Sequence, residues 1–466
     1  MDINHLNNVY FIGIGGIGMS ALAKWFRRQG VTVQGYDKTR SNVTDELENL
    51  NIPIYYDDGV DAIGGLLKKV TTADTLIVYT PAIPDGHPQL AYFREQGFTV
   101  MKRAEVLAEV TRPYYTIAVA GTHGKTTTAS MIAHLLNENG IDFYAFLGGI
   151  STNFESNFVS PDEGKEAELC VVEADEYDRS FLHLEPNVLI INSLDPDHMD
   201  VYEEYDQLIE AYKKLCGQLR QGGRIFCKKG LEFELKFSGM TSFGLEEKAD
   251  IHPLNVVEEP SQTSFSLVME EDKNDGFLLH QQGKHNLLNA MAALGCASLW
   301  VEKEQLKSAL ASFRGLKRRF EKRYDDGRQV LIDDYAHHPR EIAMVIDSCR
   351  AIFPDRKITG VFQPHLYSRT RDFMDDFAHE LSRLDEAILI PIYPAREEPI
   401  EGVTSKALCD SIPNEKKWHL EREEVEPFFR EHDTEVLLIL GAGDIDRLVQ
   451  PIEETLRNKK TPQKDA

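Results

Sequence analysis

The chain has 466 residues, of which 42% are hydrophobic and 27% are charged, and its formal net charge is −25. This length favours roughly two to four domains of an ordinary globular protein. The negative charge argues against a protein that coats nucleic acid or an anionic membrane. It does not argue against anionic small ligands, because a pocket can carry the opposite local charge.

Cysteine usage and hydropathy predict a cytoplasmic protein. The six cysteines are scattered without a CxxC pair, which is typical of reduced thiols. The N-terminal apolar patch VYFIGIGGIGM has no basic region before it and is broken by glycines, so a signal peptide is not expected. No stretch approaches the roughly 18 apolar residues of a membrane span.

Residues 1–110 alternate between strand-like and helix-like runs. The runs NVYFIGI, VTVQGYD, IPIYY and DTLIVYT are predicted to be buried strands, and IGMSALAKWFRRQG and RAEVLAEVT to be helices. Alternation of this kind indicates a parallel sheet with helices on its faces. We therefore predict a Rossmann-like first domain.

Residues 111–317 begin a second α/β unit. Its predicted strands are YYTIAVAG, AELCVVE and NVLIINS, with the helix TTASMIAHLLNENG between the first two. Short β-like runs follow over residues 223–283, and the predicted helices LLNAMAALGCASLW and KEQLKSALASF close the unit. The pattern indicates a P-loop mononucleotide-binding domain with an extra β segment.

Residues 318–466 return to strict alternation. RQVLIDDYA, KITGVFQP, EAILIPIY and TEVLLILGAG are predicted strands, and PREIAMVIDSCRAIF and TRDFMDDFAHELSRL are predicted helices. A Rossmann-like third domain completes an α/β protein of three domains, 1–110, 111–317 and 318–466.

A first glycine-rich loop, Gly13-x-Gly15-x-x-Gly18, lies between a predicted strand and helix. Such glycines let the backbone approach a diphosphate at a helix N-terminus, and Asp37 ends the next strand near the spacing of a ribose ligand. From these residues alone, a ligand-free turn and an NAD site, as in a dehydrogenase, both stay open.

A second loop, GTHGKTTT, also lies between a strand and a helix. Gly124, Lys125 and Thr126 match the end of the phosphate-loop pattern, in which the lysine reaches the terminal phosphates and the threonine hydroxyl binds Mg²⁺. The first glycine of that pattern falls on Val119, so this loop is a shortened variant in which Gly121 makes the bend.

Two further strand exits carry candidate metal ligands. AELCVVE ends on Glu173, and NVLIINS runs into LDPDHMD, which contains His198. Ligands gather at the carboxyl ends of parallel strands, so Glu173 is a candidate for Mg²⁺, directly or through water. Glu176 and Asp178 are expected in a solvated acidic loop. A lone loop histidine such as His198 is more often a surface or structural residue, but its place at a third strand exit favours a role in the site.

Seven motifs occur along the chain in the order seen in the Mur ligase family, which this sequence resembles over essentially its whole length. They are GIGGIGMSALA, GTHGKTTT, EADEYDRSF, DPDHMD, GKHNLLNA, DDYAHHP and FQPHLYSRT. The resemblance implies an ATP- and Mg²⁺-dependent ligase of peptidoglycan synthesis, with Mn²⁺ as a substitute metal. It would join the carboxylate of UDP-N-acetylmuramate to L-alanine through an acyl phosphate, as a monomer or weak homodimer. A recycling ligase that attaches a tripeptide is the alternative within the family.

The resemblance also assigns sites. The first loop would hold the UDP-sugar, and the second would hold ATP. Sugar-nucleotide contacts are expected from Gly15, Gly16, Ile17, Gly18, Met19, Asp37, Ser41, Thr80, Ala82 and Asn192. ATP contacts are expected from Gly121, Thr122, His123, Gly124, Lys125, Thr126, Thr127, His285, Asn286, Asn289 and Arg318 or Arg319. Metal ligands would be Thr126, Glu173 and His198.

The resemblance implies that Asp334 and His337, in the third domain, orient the phosphate and the incoming amine. Lys125, in the second domain, and Arg319 would be the other catalytic residues. Tyr335, His365 and Arg369 would contact the amino acid, where an arginine fork suits a carboxylate. Many relatives carry arginine where Leu366 stands. His338 is expected to be structural, Pro339 to begin a helix and Asn286 to cap one.

Overall fold

The structure is a computed structural model that describes residues 3–67, 69–195, 202, 204–259, 262–395 and 397–459. The chain divides into two compact units, Met1–Gly315 and Leu316–Ala466. The first unit contains two β-sheets and the second contains one. Among the described residues, no helix combines the length and apolarity that crossing a bilayer requires.

The first sheet has five parallel strands in the order β3-β2-β1-β4-β5. The strands are Asn8–Ile12 (β1), Thr32–Tyr36 (β2), Ile54–Tyr55 (β3), Thr75–Tyr79 (β4) and Thr99–Lys102 (β5). The helices are Ile17–Arg28 (α1), Asn42–Asn49 (α2), Gly64–Leu67 (α3), Pro88–Glu95 (α4) and Arg103–Thr111 (α5). The prediction of a buried strand IPIYY was wrong in extent: β3 has two half-buried residues, since it forms the sheet edge.

The second sheet has ten strands in the order β15-β14-β13-β12-β11-β10-β6-β9-β7-β8. Its parallel core comprises Tyr115–Ala120 (β6), Phe143–Ser151 (β7), Leu169–Glu173 (β9), Val188–Ile191 (β10), Arg224–Lys228 (β11) and Met240–Phe243 (β12). Ser156–Val159 (β8) pairs antiparallel with β7, while Ile251–Glu259 (β13), Gln262–Met269 (β14) and Asp272–Leu279 (β15) form the extra β segment. The helices are Lys125–Glu138 (α6), Tyr205–Gly217 (α7), Leu231–Leu235 (α8), Lys284–Ala297 (α9) and Lys303–Ala311 (α10).

The third sheet has six strands in the order β16-β17-β21-β18-β19-β20. They are Glu321–Asp325 (β16), Val330–Asp334 (β17), Ile358–Phe362 (β18), Glu386–Leu389 (β19), Lys417–His419 (β20) and Val436–Leu440 (β21), and only β16 runs antiparallel to its neighbour. The helices are Pro339–Ile352 (α11), Tyr367–Asp372 (α12), Met374–Leu381 (α13), Ser405–Ser411 (α14), Arg422–Glu431 (α15) and Val449–Asn458 (α16). The single predicted helix TRDFMDDFAHELSRL is interrupted at Phe373, between α12 and α13.

Short 3₁₀ helices complete the described elements: Ile3–His5, Asp61–Ile63, Tyr177–His183 and Asp444–Leu448. Apolar side chains of the central strands are buried on both faces of each sheet, as a parallel sheet covered by helices requires. The predicted three-part α/β fold is confirmed. Several of the candidate site residues, among them Lys125, Glu173 and Asp334, lie at or just after the carboxyl ends of central strands.

Candidate active site

The second loop joins β6 to α6 and depends on two glycines. Gly121 and Gly124 have φ angles of +129° and +77°, which L side chains rarely adopt. A Cβ on Gly124 would lie 2.4 Å from Asn289 Oδ1, and one on Gly121 would lie 2.8 Å from the Ser193 amide nitrogen. Gly124 caps α6 without a side chain, so the amides of the first helical turn, including those of Thr126 and Thr127, face the loop.

The segment after β10 fixes the conformation of this loop. Ser193 Oγ accepts a hydrogen bond from the His123 amide at 2.8 Å and lies 2.8 Å from Thr122 Oγ1. Thr122 Oγ1 in turn accepts from the Asp195 amide at 3.1 Å. The His123 ring stays 41% exposed, with Nε2 3.6 Å from an Asp195 carboxylate oxygen. The Thr122 hydroxyl is therefore hydrogen-bonded within the loop, whereas the His123 ring lies at the surface of the loop.

Lys125, the first residue of α6, is held by a carboxylate. Its Nζ donates to Glu176 Oε2 at 2.8 Å and Oε1 at 3.0 Å, and to the Gly121 carbonyl at 2.7 Å. Burial alone would lower the pKa of Lys125, but Glu176, Asp175 and Glu173 raise it above its usual value. The prediction of a solvated Glu176 was wrong: its side chain is fully buried, because Lys125 neutralises it.

Thr126 and Glu173 meet at the strand exits of β6 and β9. Thr126 Oγ1 donates to Glu173 Oε2 at 2.8 Å, and the Gly148 amide donates to the same oxygen at 2.9 Å. A Cβ on Gly148 would lie 2.1 Å from Glu173 Oε2, so this glycine makes room for the carboxylate. A hydroxyl and a carboxylate are hard oxygen ligands, and the pair fits a Mg²⁺ ion.

His198, the third predicted metal ligand, lies outside the described residues. Across the described residues, which leave out 196–201, no group of three or more His, Cys, Asp or Glu side chains is arranged to hold a metal. Of the three predicted ligands, the structure describes Thr126 and Glu173.

The start of α9 packs against the second loop. Asn289 is buried beside Gly124, and Asn286 is buried one turn earlier. The expected cap by Asn286 was wrong: Gly283 caps the helix, and Asn286 Nδ2 donates back to the Gln282 carbonyl at 2.8 Å. Burial lowers the pKa of His285, which favours a neutral ring. The structure thus brings Asn289 directly to the loop.

Asn192 lies beneath the second loop rather than beside the first. It is 4% exposed, and its Nδ2 donates to Thr128 Oγ1 at 2.9 Å. Its Oδ1 is buried with no hydrogen-bond partner among the described residues. The side chain therefore supports α6, and its contact with the sugar stays a prediction.

The first loop joins β1 to α1 and is tied to the end of β2. The Gly15 amide donates to Asp37 Oδ2 at 2.8 Å, and the Thr39 amide donates to Asp37 Oδ1 at 3.0 Å. Burial raises the pKa of Asp37, and these amide hydrogen bonds oppose that rise. Gly16 caps α1 without a side chain, and no acidic residue lies in the first turn. This helix N-terminus therefore favours an anion.

The other predicted sugar-nucleotide residues are dispersed around this loop. Ile17 and Gly18 lie in the first turn of α1, where the Met19 side chain is buried in the core. Ser41 caps α2 and accepts from the Thr44 amide. The Thr80 methyl group would be 3.2 Å from a Cβ on Gly13. Ala82 is exposed.

Arg103 is a residue that the sequence analysis missed. It begins α5 at the carboxyl end of β5, and a Cβ on Gly18 would lie 2.9 Å from its Nη1. Its Nη2 lies 3.6 Å from a carboxylate oxygen of Asp175, which follows Glu173 by two residues. Arg103 thus links the first loop to the acidic segment beside the second. The basic pair at a strand exit was the signal that could have revealed it.

In the second unit the two adjacent arginines differ. Arg318 Nη2 donates to the Gly441 carbonyl at 2.5 Å, and its Nε lies 3.5 Å from Asp333 Oδ1. Arg319 is 44% exposed, and its closest carboxylate oxygen, on Glu341, is 4.0 Å away. Arg318 is therefore engaged within its own unit, and Arg319 is the arginine available to a ligand.

Asp334 and His337 lie at the carboxyl end of β17. Asp334 accepts hydrogen bonds from the amides of Phe320 at 2.6 Å and Ala336 at 2.8 Å, while burial raises its pKa. His337 Nδ1 lies 3.2 Å from Glu341 Oε2. Burial would raise the pKa of Glu341, but His337 and Arg319 hold it well below its usual range.

Aromatic rings connect this group to the exit of β18. The ring of Tyr335 lies 5.3 Å from that of His337, which lies 5.8 Å from that of His365. The guanidinium of Arg319 lies 5.5 Å from the Tyr335 ring centre. Arg369 is half-buried in α12. His338 caps α11, which begins at Pro339, so their structural assignments are confirmed.

Comparison with known proteins covers all three sheets. Residues 8–115, 119–297 and 318–443 match, in turn, the families described as "Mur ligase family, catalytic domain", "Mur ligase middle domain" and "Mur ligase, glutamate ligase domain". The UDP-N-acetylmuramate–L-alanine ligase of Parabacteroides distasonis is 45% identical over 98% of both chains. That of Cytophaga hutchinsonii is 42% identical over 97% of both chains.

A solved structure extends the likeness to the backbone. The crystal structure of the UDP-N-acetylmuramate–alanine ligase from Thermotoga maritima superposes with a TM-score of 0.80 at 27% identity. It covers 97% of this chain and 100% of its own. With matches across all three sheets and relatives above 40% identity along nearly the full length, the chain belongs to the Mur ligase family.

Proposed function

We propose that this protein is an ATP-dependent ligase that forms an amide bond between the carboxylate of UDP-N-acetylmuramate and the amino group of L-alanine. The observation that carries the proposal is the likeness, along almost the whole chain, to ligases that bear this name. The phosphate-loop geometry around Lys125 supports the ATP requirement.

The carboxylate of the sugar needs activation, because it is a poor acyl donor. One carboxylate oxygen attacks the γ-phosphorus of ATP, ADP leaves, and an acyl phosphate results. The alanine nitrogen then attacks the carbonyl carbon, inorganic phosphate leaves, and the amine gives up a proton. The site therefore has to hold several anions together, which calls for cations and oriented amide donors.

The first unit would supply the nucleotide contacts. Lys125 and the amides of Gly124 to Thr127 would hold the β- and γ-phosphates, with Asn286, Asn289 and His285 toward the adenine. Thr126 and Glu173 would hold Mg²⁺, which would neutralise phosphate charge when bound. The first loop, with Asp37, Ser41 and Thr80, would hold the UDP-sugar.

The second unit would supply the amino-acid contacts. Arg319 would stabilise charge on the transferred phosphate, since its guanidinium is the more accessible of the pair. Asp334 and His337 would orient the phosphate and the amine, and Tyr335, His365 and Arg369 would contact alanine. The domains would be 1–110, 111–317 and 318–466. We also propose a cytoplasmic monomer or weak homodimer, in keeping with six free, buried cysteines.

A substrate panel tests the proposal. Phosphate release is measured with UDP-N-acetylmuramate, ATP and Mg²⁺, or Mn²⁺ in its place, and with each amino acid or the tripeptide in turn. We expect L-alanine to give the highest kcat/KM and a product whose mass matches the amide. Preference for the tripeptide would identify a recycling ligase, and a change in nicotinamide absorbance would identify a dehydrogenase; either result contradicts the proposal.

A further inference from the structure

A buried polar cluster joins α1 to β8, both within the first unit. Ser20 is fully buried, Asn157 is 1% exposed and Lys24 is 7% exposed. Burying polar groups without hydrogen bonds is costly, so such a cluster specifies one arrangement of the elements that share it. The hydrogen-bond partners of these side chains therefore show which helices and strands the cluster holds in fixed positions.

Asn157 is at the centre of the cluster. Its Nδ2 donates to the Ile17 carbonyl at 2.5 Å and to Ser20 Oγ at 2.9 Å. Its Oδ1 accepts from Lys24 Nζ at 2.8 Å. The first two turns of α1 thus form hydrogen bonds with both the nitrogen and the oxygen of the Asn157 side-chain amide. Asn157 belongs to the sheet that carries the second loop.

Lys24 extends the cluster to a third element. Its Nζ donates to Ser156 Oγ at 3.2 Å and to Glu46 Oε1, on α2, at 2.5 Å. Helices α1 and α2 follow the strands β1 and β2, whose exits carry the first loop and Asp37. One ammonium group therefore ties together β8 and both helices that begin at the proposed sugar-nucleotide site.

We propose that Asn157 and Lys24 are positioning residues that hold the first turn of α1, and with it the sugar-nucleotide loop, at a fixed place against the sheet that carries the ATP loop. The inference rests on the proposed function. Ile17, whose carbonyl accepts the hydrogen bond from Asn157, directly follows Gly16 and is the first residue of α1. Loss of that hydrogen bond is expected to make the positions of the amides that would face the diphosphate less fixed, while the ATP loop keeps its structure.

Arg28 provides a matched control. It lies at the other end of α1, about 16 Å from Ile17 at the rise of an α-helix. Its Nη2 donates to the carbonyls of Pro161 at 2.6 Å and Asp162 at 2.9 Å, so it joins α1 to the chain just after β8. Arg28→Ala removes contacts between the same parts of the molecule without touching the loop end.

Calorimetry on the full-length protein separates the two ligands. Binding of UDP-N-acetylmuramate and binding of ADP are measured for the wild type and for Asn157→Asp, Lys24→Met and Arg28→Ala. Asn157→Asp keeps the acceptor for Lys24 but loses both donated hydrogen bonds. We expect it to weaken sugar-nucleotide binding about tenfold, with ADP binding changed less than about twofold. Lys24→Met should act in the same direction, and Arg28→Ala should change neither affinity.

Normal sugar-nucleotide binding by both Asn157→Asp and Lys24→Met would overturn the inference. So would an equal loss in Arg28→Ala, because the effect would then come from joining the sheets rather than from positioning the loop. A variant that loses ADP binding as well has a general folding defect, which also contradicts a positioning role. If the wild type itself fails to bind UDP-N-acetylmuramate, the proposed function fails, and the inference fails with it.

Discussion

At the scale of single residues, the buried pair of Lys125 and Glu176 couples activity to stability. Lys125→Ala should abolish turnover, and it removes the ammonium that pairs with the buried Glu176 carboxylate, which costs on the order of 3 kcal/mol of unfolding free energy. Lys125→Met combined with Glu176→Gln should recover most of that stability without recovering activity. Thermal denaturation and phosphate release measure the two quantities. Equal melting temperatures for the Lys125→Ala protein and the wild type would contradict the coupling.

Asp333 gives the second unit a dependence on pH. Burial raises its pKa to about 7, with Glu321, Asp334 and Asp446 adding to the rise and Arg318 opposing it. The folded state therefore binds this proton more tightly than the unfolded state, so the free energy of unfolding falls as pH rises from about 4 to about 7. Asp333→Asn should gain melting temperature over the wild type at pH 8 and lose most of that gain at pH 5. A gain that is the same at both pH values would exclude this carboxyl as its origin.

At the scale of elements, the turn between β6 and α6 allows a paired test of glycine. Gly124 and Gly140, at opposite ends of α6, have similar φ angles of +77° and +69°. A Cβ added at Gly124 would contact Asn289, whereas a Cβ added at Gly140 would project into open space. Both alanine variants should lose about 1 kcal/mol of stability to backbone strain. Gly124→Ala alone should raise the KM for ATP, measured by phosphate release. Equal KM values in the two variants would show that the close approach is unimportant.

Local sequence patterns could predict which helices and strands form, but they could not predict which distant residues come into contact on folding. The β6–loop–α6 unit follows from a buried apolar run, two glycines and a helical period within one short stretch. The burial of Glu176 could not be predicted, because Lys125 lies 51 residues away in sequence. The break at Phe373 was missed for a similar reason, since helical periodicity continues through it.

The same limit governs the candidate site. Glycines and the Lys-Thr pair mark the two loops, because their chemistry is local. Arg103 reaches Gly18 from a different strand exit, and Arg318 is engaged by carbonyls more than a hundred residues away, so neither role could be read from spacing. Contacts made by folding, rather than motifs, decide which member of a charged pair faces the solvent.

At the scale of the whole molecule, the division at Gly315 predicts separable activities. The second loop, Glu173 and Asn289 all lie in residues 1–315, and Arg319, Asp334 and His337 lie in residues 316–466. A fragment of residues 1–315 should bind ADP within a few-fold of the full-length affinity, yet form no amide. Calorimetry and phosphate release with UDP-N-acetylmuramate and alanine measure this. A fragment with native circular dichroism that does not bind ADP would show that the first unit is insufficient.

The hydrogen bond from Lys125 to the Gly121 carbonyl has a consequence for nucleotide affinity. An ammonium has three hydrogens, and here a carbonyl and a buried carboxylate already accept them. An incoming phosphate oxygen has to replace one of these acceptors. The Gly121 carbonyl is the acceptor that Lys125 can release while it still neutralises the buried carboxylate. The contribution of Lys125 to ATP affinity is therefore the difference in free energy between its hydrogen bond to the phosphate and its hydrogen bond to the Gly121 carbonyl. Adenosine has no phosphate, so its binding does not involve this competition.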